Sequence, residues 1–259
     1  MRVTVLGTGT SIGVPQIGCQ CEVCRSNDPR DKRNRCSSLV ETVDARILID
    51  CTPDFHEQML HVPFDRLDAV LLTHEHYDHT GGIDDLRPFC VFGDKNVDIY
   101  LDEYTAEHLR ERLPYFFKTK LYPGVARILL HEVKPFEVFR VKDTRVTALP
   151  VMHGRMPILG YRIDCPSGRS LGYVTDMSCC EKATLEALCG VDLLMVNALR
   201  FTPHPAHQTL DEAMAFASAV AAPTTRFIHF SHEIGLHAET SRRLPANMQM
   251  AYDYEVIEI

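Results

Sequence analysis

The most informative stretch of the sequence is residues 71–82, which read Leu71-Leu72-Thr73-His74-Glu75-His76-Tyr77-Asp78-His79-Thr80-Gly81-Gly82. An apolar strand leads to Thr73, and four side chains of metal-ligand type follow within six residues. In an extended segment, His74 and His76 share one side and can bind one ion together. If the chain then turns into a helix near Asp78, that carboxylate and His79 point at a second ion nearby. Two ions about 3.5–4 Å apart activate water and stabilise a leaving oxygen, so the spacing predicts a dinuclear metal site rather than a polar surface turn.

The rest of the chain predicts a mixed β-sheet protein with helices on the outside. Runs rich in apolar and β-branched residues are typical of strands. They are Val3–Leu6, Ser38–Val43, Arg46–Asp50, Ala69–Thr73, Asp98–Leu101, Val125–Leu130, Val146–Pro150, Leu159–Asp164, Ser170–Thr175, Leu193–Asn197 and Arg226–Phe230. Segments with helical spacing are Asp102–Leu113, Cys180–Leu188 and Thr209–Ala221. The last opens with Thr209 as a cap and Glu212 in its first turn, which is the pattern of a capping box.

The composition is that of a globular protein with one core. Of the 259 residues, 45% are hydrophobic, enough to cover a sheet on both faces, and we expect one domain spanning residues 1–259. The net charge of −8 argues against long nucleic acid as a partner, because phosphate neutralisation needs a basic face. Small anions are compatible with this charge, since a bound metal supplies local positive charge.

The N-terminal residues predict a cytoplasmic protein. Met1-Arg2-Val3-Thr4-Val5 runs straight into a strand and does not resemble a signal peptide, and no apolar run of 18 residues occurs. We therefore expect no membrane partner. In a reducing compartment the ten cysteines need not form a disulfide scaffold.

Three cysteines, Cys19, Cys21 and Cys24, lie within six residues, which is more than packing needs. They can wrap one ion and leave a fourth ligand to come from elsewhere. Three thiolates and one imidazole complete the closed tetrahedral shell of a structural zinc site, and free thiols in a loop are the alternative. Just downstream, the charged, turn-rich stretch Asp28–Arg35 predicts an exposed loop, with a phosphate-contacting segment as the alternative.

The Thr-His-x-His-x-Asp-His string of residues 73–79 closely resembles the signature of the metallo-β-lactamase superfamily. Proteins of that superfamily have an α/β fold, a four-layer αββα sandwich with the metals at one edge of the two sheets. The resemblance implies further ligands downstream in a fixed order. His153 matches the third ligand of the first metal, Asp176 the carboxylate that bridges the ions, and His229 the last ligand of the second metal.

Two details narrow the resemblance, namely the cysteine cluster at residues 19–24 and the close pair His229 and His232. Both resemble the bacterial phosphoribosyl cyclic phosphodiesterase family, known from phosphonate breakdown, in which such cysteines and one histidine hold a structural zinc. The resemblance implies that His232 is the fourth zinc ligand. It also implies that His207 lies near the leaving group as a general acid, with a capping or surface histidine as the alternative.

This resemblance implies a metal-dependent hydrolase that cleaves a small phosphodiester, cyclic substrates included. Its cofactors would be two divalent ions in the active site, zinc or manganese with iron also compatible, and one structural zinc. A water between the two ions would supply hydroxide as the nucleophile. Asp78 and Asp176 are the carboxylates expected to act in catalysis, with Asp176 also accepting the proton of that water, and His207 protonates the leaving group. A homodimer is compatible with the sequence.

The metal ligands alone do not identify the substrate, and they do not exclude other reactions that occur on the same fold. A tRNA 3′-processing nuclease shares the motif His229-Phe230-Ser231, but the acidic charge and the lack of an RNA-clamping insertion count against it. A thioesterase or lactonase and a mononuclear iron sulfur-dioxygenase fit the same ligands. A non-catalytic relative from cofactor biosynthesis would keep the cysteine zinc, but such proteins tend to lose active-site ligands, and all seven are present here.

Overall fold

The computed structural model describes residues 1–93, 95–118, 120 and 124–259. The strands are β1 (Arg2–Gly7), β2 (Ser37–Glu41), β3 (Arg46–Ile49), β4 (Ala69–Leu71), β5 (Val97–Leu101), β6 (Ile128–Glu132), β7 (Val138–Val141), β8 (Thr144–His153), β9 (Met156–Asp164), β10 (Ser170–Val174), β11 (Leu193–Asn197), β12 (Thr224–Ile228), β13 (Met248–Met250) and β14 (Val256–Glu258). The α-helices are α1 (Glu22–Arg25), α2 (Phe55–Leu60), α3 (Tyr77–Thr80), α4 (Arg87–Gly93), α5 (Glu103–Arg112), α6 (Lys182–Leu188), α7 (Leu210–Val220) and α8 (His237–Ser241). Among the described helices, none is long and apolar enough to cross a membrane.

The strands form two seven-stranded mixed sheets. The first has the order β14-β1-β2-β3-β4-β5-β6, and the second has the order β13-β12-β11-β10-β9-β8-β7. In the first sheet the neighbours from β3 to β6 are parallel. In the second sheet the neighbours from β10 to β13 are parallel, and those from β7 to β10 are antiparallel. Each sheet therefore has a parallel half in which neighbouring strands end at the same edge.

Three apolar layers hold the sheets and helices together. One layer, which includes Ile47 and Tyr161, lies between the two sheets. A second packs helices against the outer face of the first sheet, with Phe55 of α2 among its members, and a third does the same for the second sheet, with Leu188 of α6. Strands covered on both faces are expected to read as continuous apolar runs, which is how most of them appear in the sequence. The predicted four-layer αββα sandwich is confirmed.

The predicted elements match the observed ones, with ends displaced by up to three residues. The helix predicted at Thr209–Ala221 begins at Leu210, and its capping box is present, with Thr209 and Glu212 bonding reciprocally. The strands that the sequence analysis missed are β7, β13 and β14, and each lies at the edge of a sheet. Edge strands are short and half-exposed, so they lack the apolar run that marks a buried strand.

The strands deliver the candidate ligands to one edge of the sandwich. Asp50 follows β3, and residues 73–79 follow its parallel neighbour β4 in the first sheet. In the second sheet, His153 ends β8, Asp176 follows β10 and His229 follows β12. Because these strands run in the same direction within each sheet, their carboxyl ends lie together. The topology thus brings together, at one edge of the sandwich, residues that are up to about 180 positions apart in the sequence.

The charged stretch Asp28–Arg35 differs from its prediction as an exposed loop. Asp31 and Arg33 are buried and form an ion pair of 3.2 Å, although Lys32 between them is exposed. The Arg33 guanidinium also donates to the carbonyl oxygens of Ser231 and Gly235 at 3.1 and 3.3 Å. The prediction was wrong at the centre of this stretch because the two opposite charges bond each other and anchor the loop to the segment that follows His229.

Candidate metal centre

The first set of candidate ligands consists of His74, His76 and His153, and each offers one nitrogen within 4.8 Å of the others. The second set consists of Asp78, His79, Asp176 and His229, which meet the same distance limit and are all buried. The structure therefore brings together all seven side chains that the sequence analysis predicted for the dinuclear site. Their role as metal ligands stays a prediction.

Asp176 lies between the two sets. Its Oδ1 is 3.0 Å from His229 Nε2 and 3.4 Å from His79 Nε2, both in the second set. Its Oδ2 is 3.8 Å from Nε2 of His74 in the first set. Burial opposes ionisation of this carboxyl group, but the neighbouring His229 and His79 imidazoles hold its pKa well below its usual range. One ionised carboxylate thus faces both sets, as a bridging ligand must.

Hydrogen bonds outside the two sets orient the imidazoles. His79 donates from Nδ1 to Asp50 Oδ2 at 2.7 Å, and His74 donates from Nδ1 to Thr73 Oγ1 at 3.0 Å. His153 donates from Nδ1 to the carbonyl oxygen of Asp176 at 2.8 Å. In His79 and His153 the partner of Nδ1 can only accept, so Nδ1 carries a proton and Nε2 is the ring nitrogen left to face the centre. Metal-binding histidines are commonly fixed in this way.

Asp50 is a site residue that the sequence analysis missed. Its buried carboxylate accepts hydrogen bonds from His79 Nδ1 and from the backbone N–H and hydroxyl of Thr73. The sequence carries one signal for it, because Asp50 is a charged residue at the end of the apolar strand predicted at Arg46–Asp50. Its partners are more than 20 residues away along the chain. The interaction is therefore tertiary and leaves no local pattern.

Three residues of the centre have left-handed backbone conformations within two residues of a strand end. The φ angles are 60° for Asp50, 56° for Asp176 and 60° for His229. This region is costly for residues other than glycine, by roughly 1–3 kcal/mol each where strain is stored. The conformation turns each side chain out of the strand direction at the sheet edge. Three of the seven residues other than glycine that have a positive φ among the described residues thus lie where the candidate ligands converge.

The donor atoms fit divalent metal ions. Buried nitrogens at His79 Nε2, at both ring positions of His229 and at His207 Nδ1 make no hydrogen bond within the described part of the chain. Leaving a buried polar group unpaired costs about 1–3 kcal/mol, so such a cluster needs an explanation. Imidazole nitrogens with carboxylate oxygens suit zinc, manganese and iron. A divalent ion at the second set would satisfy His79 Nε2 and His229 Nε2 and offset the buried carboxylates of Asp78 and Asp176.

His207 lies beside the centre, where the sequence analysis placed it. Its Nδ1 is 4.0 Å from Asp176 Oδ2, and its ring centroid is 4.7 Å from His153 and 5.0 Å from His229. Only 10% of its side chain is exposed. Burial lowers its pKa to about 3. His207 is therefore within reach of a substrate at the centre, although its role as a general acid stays a prediction.

The cysteine cluster also converges in space. Cys19, Cys21, Cys24 and His232 each offer one atom within 4.8 Å of the others. The Sγ atoms of Cys19 and Cys21 lie 3.4 and 3.2 Å from His232 Nδ1. The hydrogen bond from His232 lowers the pKa of Cys21 to about 6, which favours the thiolate. Three sulfurs and one nitrogen fit a closed tetrahedral zinc site.

We expect Cys21→Ser to destabilise the protein more than it impairs catalysis, because a closed thiolate site contributes to folding. The melting temperature should fall by about 5–10 °C, roughly 2–3 kcal/mol for a chain of this size. Thermal melting and zinc analysis of the purified variant check this. Cys189→Ser, which changes an exposed cysteine, is the matched control. A Cys21→Ser protein that keeps its zinc and melts at the wild-type temperature would show that no structural zinc is bound here.

Comparisons with known proteins assign the family. Residues 45–230 match the model of the β-lactamase superfamily domain. The chain belongs to this superfamily. A crystal structure of a new diphosphatase from the PhnP family is 40% identical, with a TM-score of 0.90, and the match covers 100% of this chain and 97% of that one. The sequence analysis expected a resemblance to the phosphoribosyl cyclic phosphodiesterase family, which is the PhnP-like family, within the metallo-β-lactamase superfamily. This resemblance is therefore confirmed.

Two curated relatives carry other names. An octanoyltransferase of Porphyromonas gingivalis is 44% identical over 255 residues, which is 98% of this chain and 50% of that protein. Coenzyme PQQ synthesis protein B of Methylobacterium radiotolerans is 31% identical over 230 residues, covering 76% of this chain and 72% of that protein. The chain thus spans only half the length of the octanoyltransferase. At the coarser level, the chain has the metallo-β-lactamase fold.

Proposed function

We propose that this chain is a phosphodiesterase that cleaves a small phosphodiester, cyclic substrates included, at a centre holding two divalent ions. The observation that carries the proposal is Asp176, whose two carboxylate oxygens face the two ligand sets. Two adjacent cationic sites can hold both the attacking and the leaving oxygen of an in-line displacement at phosphorus. The diphosphatase from the PhnP family also supports chemistry at a phosphoryl group.

His74, His76 and His153 would hold one ion, and Asp78, His79, Asp176 and His229 would hold the other. When bound, such ions lower the pKa of water towards neutrality and offset the negative charge of phosphoryl oxygens. The chain's own residues contribute by holding the ligand side chains in position. Asp50 fixes the His79 ring, and through the Thr73 hydroxyl it also supports the His74 ring. Asp176 can accept a proton at Oδ2, the oxygen that faces His207.

His207 would protonate the departing alkoxide. Its imidazole lies beside both His153 and His229, so a substrate at the centre comes within its reach. Burial disfavours the protonated ring, as its pKa of about 3 indicates. The negative charge of a bound phosphodiester would stabilise the imidazolium and oppose that effect. We therefore expect His207 to become an effective acid only when the anionic substrate is bound.

A second candidate is an acyl ester or thioester hydrolase. The octanoyltransferase relative favours it, because the identity of 44% extends over nearly the whole of this chain. That name describes a protein about twice as long as the matched region, so either half could carry the transfer activity. The ligand sets alone do not discriminate between the carbonyl oxygen of an acyl group and an oxygen of a phosphoryl group.

An assay on a panel of substrates separates the two candidates. Protein reconstituted with zinc or manganese is given bis(p-nitrophenyl) phosphate, p-nitrophenyl phosphate and an octanoyl thioester. A phosphodiesterase turns over the diester fastest, whereas a thioesterase prefers the thioester. Oxygen consumption without hydrolysis of any of the three would instead indicate an iron dioxygenase.

We also expect three ions per chain, two at the centre and one at the cysteine cluster, because the donor atoms form three sets with no residue in common, and the fourth set, His153, Asp176 and His207, shares two residues with the first two. Elemental analysis after full reconstitution measures this number. Dialysis against a chelator should abolish hydrolysis, and added zinc or manganese should restore it. A protein that holds at most one ion after reconstitution contradicts the proposed centre.

A further inference from the structure

Among the three histidines of the first set, His76 has no close outer hydrogen bond to a described residue, whereas His74 and His153 are each oriented by one. His76 Nδ1 lies 3.0 Å from His74 Nε2, so this nitrogen faces the ligand set. The opposite nitrogen, Nε2, faces Glu75 Oε1 at 3.8 Å. That distance is longer than a hydrogen bond but within the range of an ion pair. The residue that meets the outer side of the His76 ring is therefore Glu75.

Glu75 is held in an unusual environment for a carboxylate. Its side chain is only 16% exposed, and its Oε2 is buried without a hydrogen-bond partner among the described residues. Its backbone is fixed, because its carbonyl oxygen accepts from the Thr80 hydroxyl at 3.1 Å and from the Arg112 guanidinium at 3.4 Å. Arg112 also donates to the Thr80 hydroxyl at 2.7 Å. A buried carboxylate oxygen without a hydrogen-bond partner, on a residue whose backbone is held in place, suggests a functional role.

We propose that Glu75 is a positioning residue that orients the His76 imidazole through the contact of its carboxylate with Nε2–H, 3.8 Å away, and so directs Nδ1 towards the first metal ion. The inference rests on the proposed metal centre and deepens it. It gives His76 the outer partner that Asp50 gives His79 and Thr73 gives His74. His76 needs such a partner most, because 43% of its side chain is exposed and packing alone does not fix the ring. Outer partners of this kind typically change metal affinity by about 10–100-fold.

The inference is tested by metal binding rather than by turnover. Zinc affinity is measured by competition with a chromophoric chelator in the wild type, Glu75→Ala and Glu75→Gln. Glu75→Ala should weaken the binding of one of the two ions at the centre by about 10-fold or more. Glu75→Gln should lose less zinc affinity than Glu75→Ala, because its amide oxygen can still contact the Nε2–H of His76. The visible spectrum of the cobalt-substituted protein should change in Glu75→Ala.

A double-mutant cycle separates positioning from a general structural effect. If Glu75 acts through His76, Glu75→Ala should have no further effect on zinc affinity in the His76→Ala background. Glu111→Gln is the matched control, because exposed Glu111 lines the same cavity of about 310 Å³ as Glu75. It removes one negative charge there and should leave zinc affinity unchanged.

Two results would overturn the inference. One is unchanged zinc affinity in Glu75→Ala, and the other is an equal loss with and without His76. A wild type that binds two ions at the centre but hydrolyses no phosphodiester would refute the proposed function and leave the role of Glu75 intact. A wild type that binds no ion there would refute both.

Discussion

Asp78→Ala is expected to reduce phosphodiester hydrolysis by at least about 10³-fold, beyond the roughly 10²–10³-fold that loss of one transition-state donor costs. Asp78 belongs to the second ligand set, and its Oδ2 lies 3.1 Å from His79 Nε2 and 3.7 Å from His229 Nε2. Without this carboxylate, the second ion loses an anionic ligand. Steady-state kinetics and elemental analysis of the purified variant measure the two effects together.

The fold should survive this change. Asp78 lies in the four-residue helix α3 at the edge of the sandwich, outside the apolar layers that hold the sheets together. The melting temperatures of the metal-free variant and the metal-free wild type should therefore agree to within a few degrees. Asp65→Ala removes an exposed carboxylate and serves as the control for charge alone. Global unfolding of Asp78→Ala, or full activity with only one ion at the centre, would show that Asp78 does not have the assigned role.

The sequence predicted the part of the centre that has a local pattern. The four ligands at residues 74–79 follow one strand, and their spacing alone indicates a metal site. His153, Asp176 and His229 have no such spacing, and each is one polar residue at a strand end. Only the resemblance to a family singled them out. The fold then explains why strand ends are the right places, since parallel strands bring them to one edge.

The interactions that support the ligands were not predictable from the sequence. Asp50 acts through His79 and Thr73, which belong to a neighbouring strand end. Arg33 looks like one charge in a solvated run, yet it is buried against Asp31 and bonds the carbonyl oxygen of Ser231. The interactions of Asp50 and Arg33 depend on which segments meet in space. Neither periodicity nor local spacing in the sequence predicts such contacts. These tertiary interactions are the part of the site that the predicted ligand list did not contain.

His207→Ala is expected to slow hydrolysis of a diester with a poor leaving group by about 10²–10⁴-fold, the usual range for general acid catalysis. An alkoxide leaves slowly without a proton, whereas p-nitrophenolate departs as a stable anion. The loss on bis(p-nitrophenyl) phosphate should therefore be much smaller than the loss on an alkyl or cyclic diester. Values of kcat/KM for both substrates in the wild type and the variant give the comparison.

The control for this prediction is His204→Ala. His204 lies next to His207, with ring centroids 4.9 Å apart, but it belongs to none of the candidate ligand sets found among the described residues. Its removal tests whether loss of any nearby imidazole has the same effect, and we expect no dependence on the leaving group.

Metal content should be unchanged in both variants if His207 is an acid and not a ligand. This point needs measurement, because His207 also lies within 4.8 Å of donor atoms on His153 and Asp176. Equal losses on good and poor leaving groups, with the metals retained, would leave His207 a substrate-positioning residue, whereas loss of an ion would make it a ligand.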